Sequence, residues 1–142
     1  MSKRSILLEL AIANAFVSQL FDERLMQAGV QPTQVGILLL IREAEPVTPT
    51  ELERISGLAG ATLRDRVQHL RREGYVERRP SAIDRRSYQL ITTPDGRAVL
   101  ERARPVIRQV ERLLERRLAS SLQDHRDLVT RLGAAARSSL GE

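Results

Sequence analysis

Residues 58–79 read Leu-Ala-Gly-Ala-Thr-Leu-Arg-Asp-Arg-Val-Gln-His-Leu-Arg-Arg-Glu-Gly-Tyr-Val-Glu-Arg-Arg, and this stretch decides the fold. Leu63, Val67 and Leu70 recur at helical spacing, which predicts a helix from about Gly60 to Glu73. Gly74 suits the left-handed position that ends it. Tyr75 to Arg79 is strand-like, Pro80 to Asp84 is turn-like, and Arg86 to Thr92 alternates as a second strand. The stretch therefore predicts a helix that runs straight into a β-hairpin with an arginine-bearing tip.

Just upstream, Thr48 can cap a helix from Pro49 to about Ser56, with Glu51 completing a capping box. Gly57-Leu58 is a tight turn, so residues 48–73 form a helix-turn-helix pattern. Farther out, Ser5 to about Ala28 predicts a first helix whose face carries Ile6, Leu10, Ala13, Val17, Leu20 and Phe21. A second runs from Pro32 to about Ala44 and is apolar nearly all round, which marks it as the buried helix. Downstream, Thr93-Pro94-Asp95 is a strong helix start. Val99, Ala103, Val106, Val110 and Leu113 then repeat close to a heptad seam, with Pro105 expected to kink or divide the helix. Ser120 or Ser121 is the expected cap of a final helix carrying Leu122, Leu128, Leu132, Ala136 and Leu140. The expected fold is mainly α with a small β-hairpin wing: a winged helix-turn-helix, flanked by N- and C-terminal helices more apolar than two isolated helices could bury.

Charge sharpens the reading. The 142 residues carry net charge +5, and 22 of the 23 basic residues are arginine. Residues 1–59 hold five basic and seven acidic groups, whereas residues 60–86 hold eight and four. The basic excess therefore concentrates in the second helix and the hairpin, the footprint expected of a nucleic-acid partner. Cysteine is absent, which excludes disulfides, thiolate zinc sites and thiol redox sensing within these residues. With only His69 and His125, no metal or other cofactor is expected. Neither a phosphate loop nor a nucleophile elbow is present, so an enzyme is not expected. No apolar run approaches the roughly 20 residues of a membrane span, and the expected location is the cytoplasm.

With Leu63 taken as the core direction, Ala61, Asp65, Gln68 and Arg72 fall on the opposite side of the second helix, with Arg64 on its flank. Gly60, Ala61 and Thr62 are small enough to let the helix start approach a groove, and Thr62 and the first-turn amides can hold phosphate. Arg64, Gln68 and Arg72 offer contacts to base edges. Asp65 needs an arginine partner or a cytosine amino group, and Arg66 points nearer the core stripe. On the hairpin, Arg79 adds charge, and Asp84-Arg85-Arg86 can divide its work: one arginine enters a minor groove while the aspartate pairs with the other. The rival reading of each feature, a solvated charged surface, weakens where helix and hairpin tip occur together. His69 reads as a flank residue and His125 as surface.

The run 58–79, with Asp84-Arg85-Arg86-Ser87 and Thr92-Thr93-Pro94-Asp95-Gly96-Arg97, resembles the MarR family of bacterial winged-helix regulators. The resemblance is sharpest over residues 48–100. It implies one domain over 1–142, with a winged DNA-binding core at about 30–96 and dimerisation helices at about 1–29 and 97–142. It further implies a homodimer that represses by binding double-stranded DNA at a pseudo-palindromic operator, released by a small aromatic or other anionic ligand. On this likeness Asp84 and Arg86 occupy the wing positions that orient and insert a minor-groove arginine. Three departures stand out: Ala59 where a capping serine is common, Val35 where an aromatic is common, and Thr92 where leucine is usual. Aromatic residues are few, which argues against a ring-lined ligand pocket; Phe16, Phe21 and Tyr75 are its candidates, and core packing is the stronger reading of them. The alternative is a helical protein–protein adaptor whose winged domain does not bind DNA; an intact basic hairpin argues against it.

Overall fold

The computed structural model describes residues 4–141. Six helices and a two-stranded antiparallel hairpin follow in the order α1 (Ile6–Gln27), α2 (Pro32–Ala44), α3 (Pro49–Ser56), α4 (Gly60–Arg72), β1 (Val76–Pro80), β2 (Tyr88–Thr92), α5 (Pro94–Leu118) and α6 (Gln123–Ser139). The mainly α winged helix-turn-helix is thus the fold. The chain divides into two compact units, one ending at Ile107 and one beginning at Arg108.

In the first unit α2 is the hub, touching α1, α3, α4 and β2. Its near-continuous apolar surface explains this role. Val35, Ile37, Leu38 and Ile41 are all buried, and each contributes roughly 1.5–3 kcal/mol by leaving water. Leu52 of α3, Leu63 and Leu70 of α4, Val76 of β1 and Leu90 of β2 close the core. Val67 of α4 is only half-buried, so the inward stripe is narrow. That narrowness leaves Arg66 exposed rather than directed at the core.

The helix starts follow the local chemistry. Ser5 accepts from the Leu7 amide, and Thr48 and Glu51 form the full reciprocal capping box of α3. Gly57 and Gly74 adopt left-handed backbone at the ends of α3 and α4. Pro80 belongs to β1 rather than to the turn, at the strand end where its missing N–H costs least, and Tyr75 stays outside the strand. Helix α5 continues unbroken past Pro105. Val99, Leu100, Ala103 and Val106 are buried on either side, and their packing outweighs the lost backbone bond.

The second unit contains the end of α5 and all of α6. Neither Ser120 nor Ser121 is the cap residue of α6. Leu122 takes that place, because Glu115 Oε1 accepts the Leu122 amide at 2.9 Å and Ser121 Oγ accepts the Gln123 amide at 3.1 Å. Helix α6 buries none of its described residues, and Leu128, Leu132 and Leu140 are exposed. In the first unit, α1 leaves most of its expected face open: Ile6, Leu10, Ala13 and Val17 are exposed, with Ile6 at 70%, whereas Leu20 and Phe21 are half-buried. Among the described residues, no helix is long and apolar enough to cross a membrane.

Candidate nucleic-acid interface

The α4 surface is built by subtraction. Leu63 and Leu70 turn inward, and Ala61, Thr62, Arg64, Asp65, Gln68 and Arg72 are all left exposed, with Gly60 half-buried at the first position. Ala59, at the cap position, makes no side-chain hydrogen bond to the first turn. The opening amides of α4 therefore lack the internal acceptor that α3 has. A helix start with free amides and small side chains presents partial positive charge to an approaching anion. The Glu53 carboxylate lies beside this start, with its oxygens 3.2 and 3.3 Å from where a Cβ on Gly60 would stand. That proximity was not foreseen from sequence. Asp65 makes no ion pair among the described residues.

The hairpin projects beside α4. Arg78 pairs across the ladder with Leu90, Arg79 with Gln89, and Pro80 with Tyr88. The Arg78 guanidinium lies 4.1 Å from the Tyr88 ring centroid, so this arginine is held by a cation–π contact. Arg79 is exposed and reaches Glu77 at 3.5 Å. At the tip Asp84, Arg85 and Arg86 are all exposed. Asp84 does not pair with an arginine side chain there. Its Oδ1 accepts the Arg86 backbone amide at 2.9 Å, and its carbonyl accepts the Ser87 amide at 3.2 Å. The tight turn folds the carboxylate back on the main chain, so Asp84 shapes the loop and both guanidinium heads stay outside any described ion pair.

The root of the hairpin is tied twice. Thr93 donates its amide to the Tyr75 carbonyl at 3.0 Å and its hydroxyl to the Gly74 carbonyl at 2.6 Å, while the same hydroxyl accepts the Gly96 amide at 3.1 Å. The backbones are so close that a Cβ on Gly96 would stand 2.2 Å from the Tyr75 oxygen. This is the physical reason for glycine in the Thr-Pro-Asp-Gly start of α5. On the outer edge of β2, Val47 and Leu90 exchange both backbone bonds, at 3.2 and 2.8 Å. Beside them Glu45 Oε2 accepts the amide and the hydroxyl of Thr92, each at 2.7 Å, and Glu45 Oε1 pairs with Arg42. Burial alone would raise the Glu45 pKa. The Thr92 bonds and Arg42 outweigh it and hold the carboxyl below its ordinary value. The stability this supplies is full above the unfolded pKa and is lost as pH falls through the folded one.

Sequence reading missed this pair, although the signal was present. Leu90 and Thr92 share the inward face of β2, and a threonine at a buried position demands a hydrogen-bond partner.

A cleft of about 240 Å³ opens between α3, α4 and β2, lined by Pro49, Glu53, Leu63, Arg64 and Tyr88 among others. Its ring is Tyr88, not Phe16, Phe21 or Tyr75. Phe16 is exposed, and Phe21 and Tyr75 are half-buried elsewhere. His69 is exposed on α4, and His125 lies in the second unit, 3.2 Å from the Ser120 hydroxyl.

A family model described as the MarR family matches residues 28–87, the segment from the end of α1 to the wing tip. The multiple antibiotic resistance protein MarR of Salmonella typhimurium is 30% identical over 90 residues, covering 63% of this chain; the match spans 62% of that relative's length, less than two thirds. The structure of the M. tuberculosis transcriptional regulator MOSR in complex with DNA is similar over 96% of this chain and 98% of that one, with TM-score 0.78 and 27% identity. A mutant MarR of E. coli complexed with operator DNA is similar in fold, with TM-score 0.74 and 23% identity over 89% of each chain.

Proposed function

We propose that the chain is a MarR-family regulator: a sequence-specific DNA-binding transcriptional regulator rather than an enzyme, acting in the cytoplasm as a homodimeric repressor on a pseudo-palindromic operator. The observation that carries the proposal is the pairing of an uncapped α4 start and its exposed polar face with an exposed arginine wing tip. In this reading Gly60, Ala61 and Thr62 bring the first-turn amides onto a phosphate. Arg64, Asp65, Gln68 and Arg72 face the major groove, Arg79 and Arg85 contact the backbone, and Arg86 enters the minor groove from the turn that Asp84 shapes. The similar M. tuberculosis regulator MOSR was solved in complex with DNA, which supports the same partner for this chain.

The open apolar faces of α1 and α6 support dimerisation, each face being too large to leave in water. The family domain at about 30–96 would then be the DNA-binding core, with the flanking helices joining two copies. A twofold dimer sets its recognition helices about 34 Å apart, one turn of duplex DNA. A small aromatic or other anionic effector fits the chemistry of the α3–α4–β2 cleft, which offers Arg64 and Tyr88.

The deciding experiment is a salt titration of binding to duplex DNA from the chain's own upstream region. Affinity should fall steeply with salt, and Arg86→Ala should weaken binding at least tenfold while leaving the melting temperature nearly unchanged. A flat salt slope overturns the DNA reading and favours the adaptor alternative. A large fall in melting temperature, with affinity per folded dimer unchanged, reassigns Arg86 to structure.

A further inference from the structure

We propose that Glu45 is a positioning residue for DNA recognition: from the end of α2 it clamps the root of the wing through Thr92 and so sets the direction in which Arg85 and Arg86 project. The inference rests on the DNA-binding reading above. Its ground is the geometry of one strand edge. Strand β2 pairs with β1 on one side, and its other edge would expose unpaired backbone groups. Residues 45–47 cover that edge. Val47 takes the Leu90 amide and returns its own, and Glu45 takes the Thr92 amide, so two successive outward-facing donors of β2 are held by one short segment. The same carboxylate oxygen also takes the Thr92 hydroxyl, on a side chain only 1% exposed. Without Glu45 this amide and hydroxyl would be buried donors lacking a partner.

The clamp is directional, which an apolar contact is not. A leucine at position 92 would fill the space but would tolerate rotation of the strand. Two charge-assisted hydrogen bonds converging on one oxygen do not. Leverage makes the difference matter. Five strand residues place the tip about 17 Å from the root, so a rotation of about 10° moves the tip by about 3 Å. A displacement of about 3 Å exceeds what a hydrogen bond to a base edge or phosphate tolerates. Glu45 is itself anchored by Arg42 on the last turn of α2 and by its own amide to the Ile41 carbonyl at 2.8 Å. The reference frame for the wing is therefore the hub helix of the core.

The absence of cysteine allows a direct test. Nitroxide labels on Thr33→Cys of α2 and Ile83→Cys of the wing, both exposed positions, report the wing direction as a distance distribution. Labelled chain is diluted with unlabelled chain to isolate distances within one subunit. Glu45→Ala should broaden that distribution and weaken binding to upstream-region DNA about tenfold. In an Arg86→Ala background it should cost almost nothing further, because a misdirected tip that carries no arginine has nothing left to lose. Should Glu45→Ala fold poorly, Thr92→Val removes only the hydroxyl bond and should give the same pattern at smaller size. An unchanged distance distribution overturns the proposal, as does an affinity loss that simply adds to that of Arg86→Ala. A broadened distribution in a chain that binds no DNA upholds the anchor and overturns the DNA reading instead.

Discussion

Helices α3 and α4 are consecutive, joined by one tight turn, and finished in opposite ways. Helix α3 satisfies its own start: Thr48 Oγ1 accepts the Glu51 amide and Glu51 Oε2 accepts the Thr48 amide. Helix α4 opens on Ala59, which offers no side-chain acceptor. Its exposed face has small residues at the start, then arginine and glutamine, whereas α3 turns Leu52 into the core. A helix with its donors occupied is a structural part. One with its donors free has bonding capacity left for something outside the chain.

Substitutions can break this contrast. The largest expected effect is on the closed helix. Leu52→Ala should cost about 3 kcal/mol in denaturant unfolding, because it empties a fully buried site. A cost below about 1 kcal/mol would mean that α3 is not the core element described. Next come the caps, where the two helices should respond with opposite sign. Thr48→Ala should lose about 1 kcal/mol, whereas Ala59→Ser should gain up to about 1 kcal/mol by supplying the missing acceptor. If Ala59→Ser proves destabilising, the α4 amides already have partners and the contrast fails. The smallest effect on stability belongs to the open face. Gln68→Ala should stay within about 0.5 kcal/mol of the parent yet change the ranking of single-base variants of the DNA site. A uniform loss across those variants would make Gln68 a backbone contact.

The same contrast explains what the sequence reveals and what it hides. Short-range chemistry is legible. The capping box, the turn at Gly57, the left-handed Gly74 and the cap of α5 by Thr93 each depend on neighbours within a few residues, and the structure reproduces each. The exposed face of α4 is legible as well, since two buried leucines fix its rotation. Long-range pairing is not. Glu45 and Thr92 lie 47 positions apart, and only the buried threonine hints that a partner exists. Asp84 misleads for a related reason, because an arginine neighbour and a backbone amide compete for one carboxylate and turn geometry decides. Pro105 does not divide α5, because propensity is local while the buried residues that hold the helix together are not.

The bonds among Gly74, Tyr75, Thr93 and Gly96 have a consequence for how such a chain can change over generations. The hairpin enters and leaves its frame through one knot of hydrogen bonds, with a glycine at which any Cβ would collide with the Tyr75 carbonyl. Beyond the two strands that leave that knot, residues 82–86 form an exposed tip. Residues 82–86 can therefore be lengthened, shortened or exchanged without disturbing the core. The tip has the form of a cassette: on the proposed DNA-binding reading, drift in its composition would retune the target site while the scaffold that presents it stays fixed.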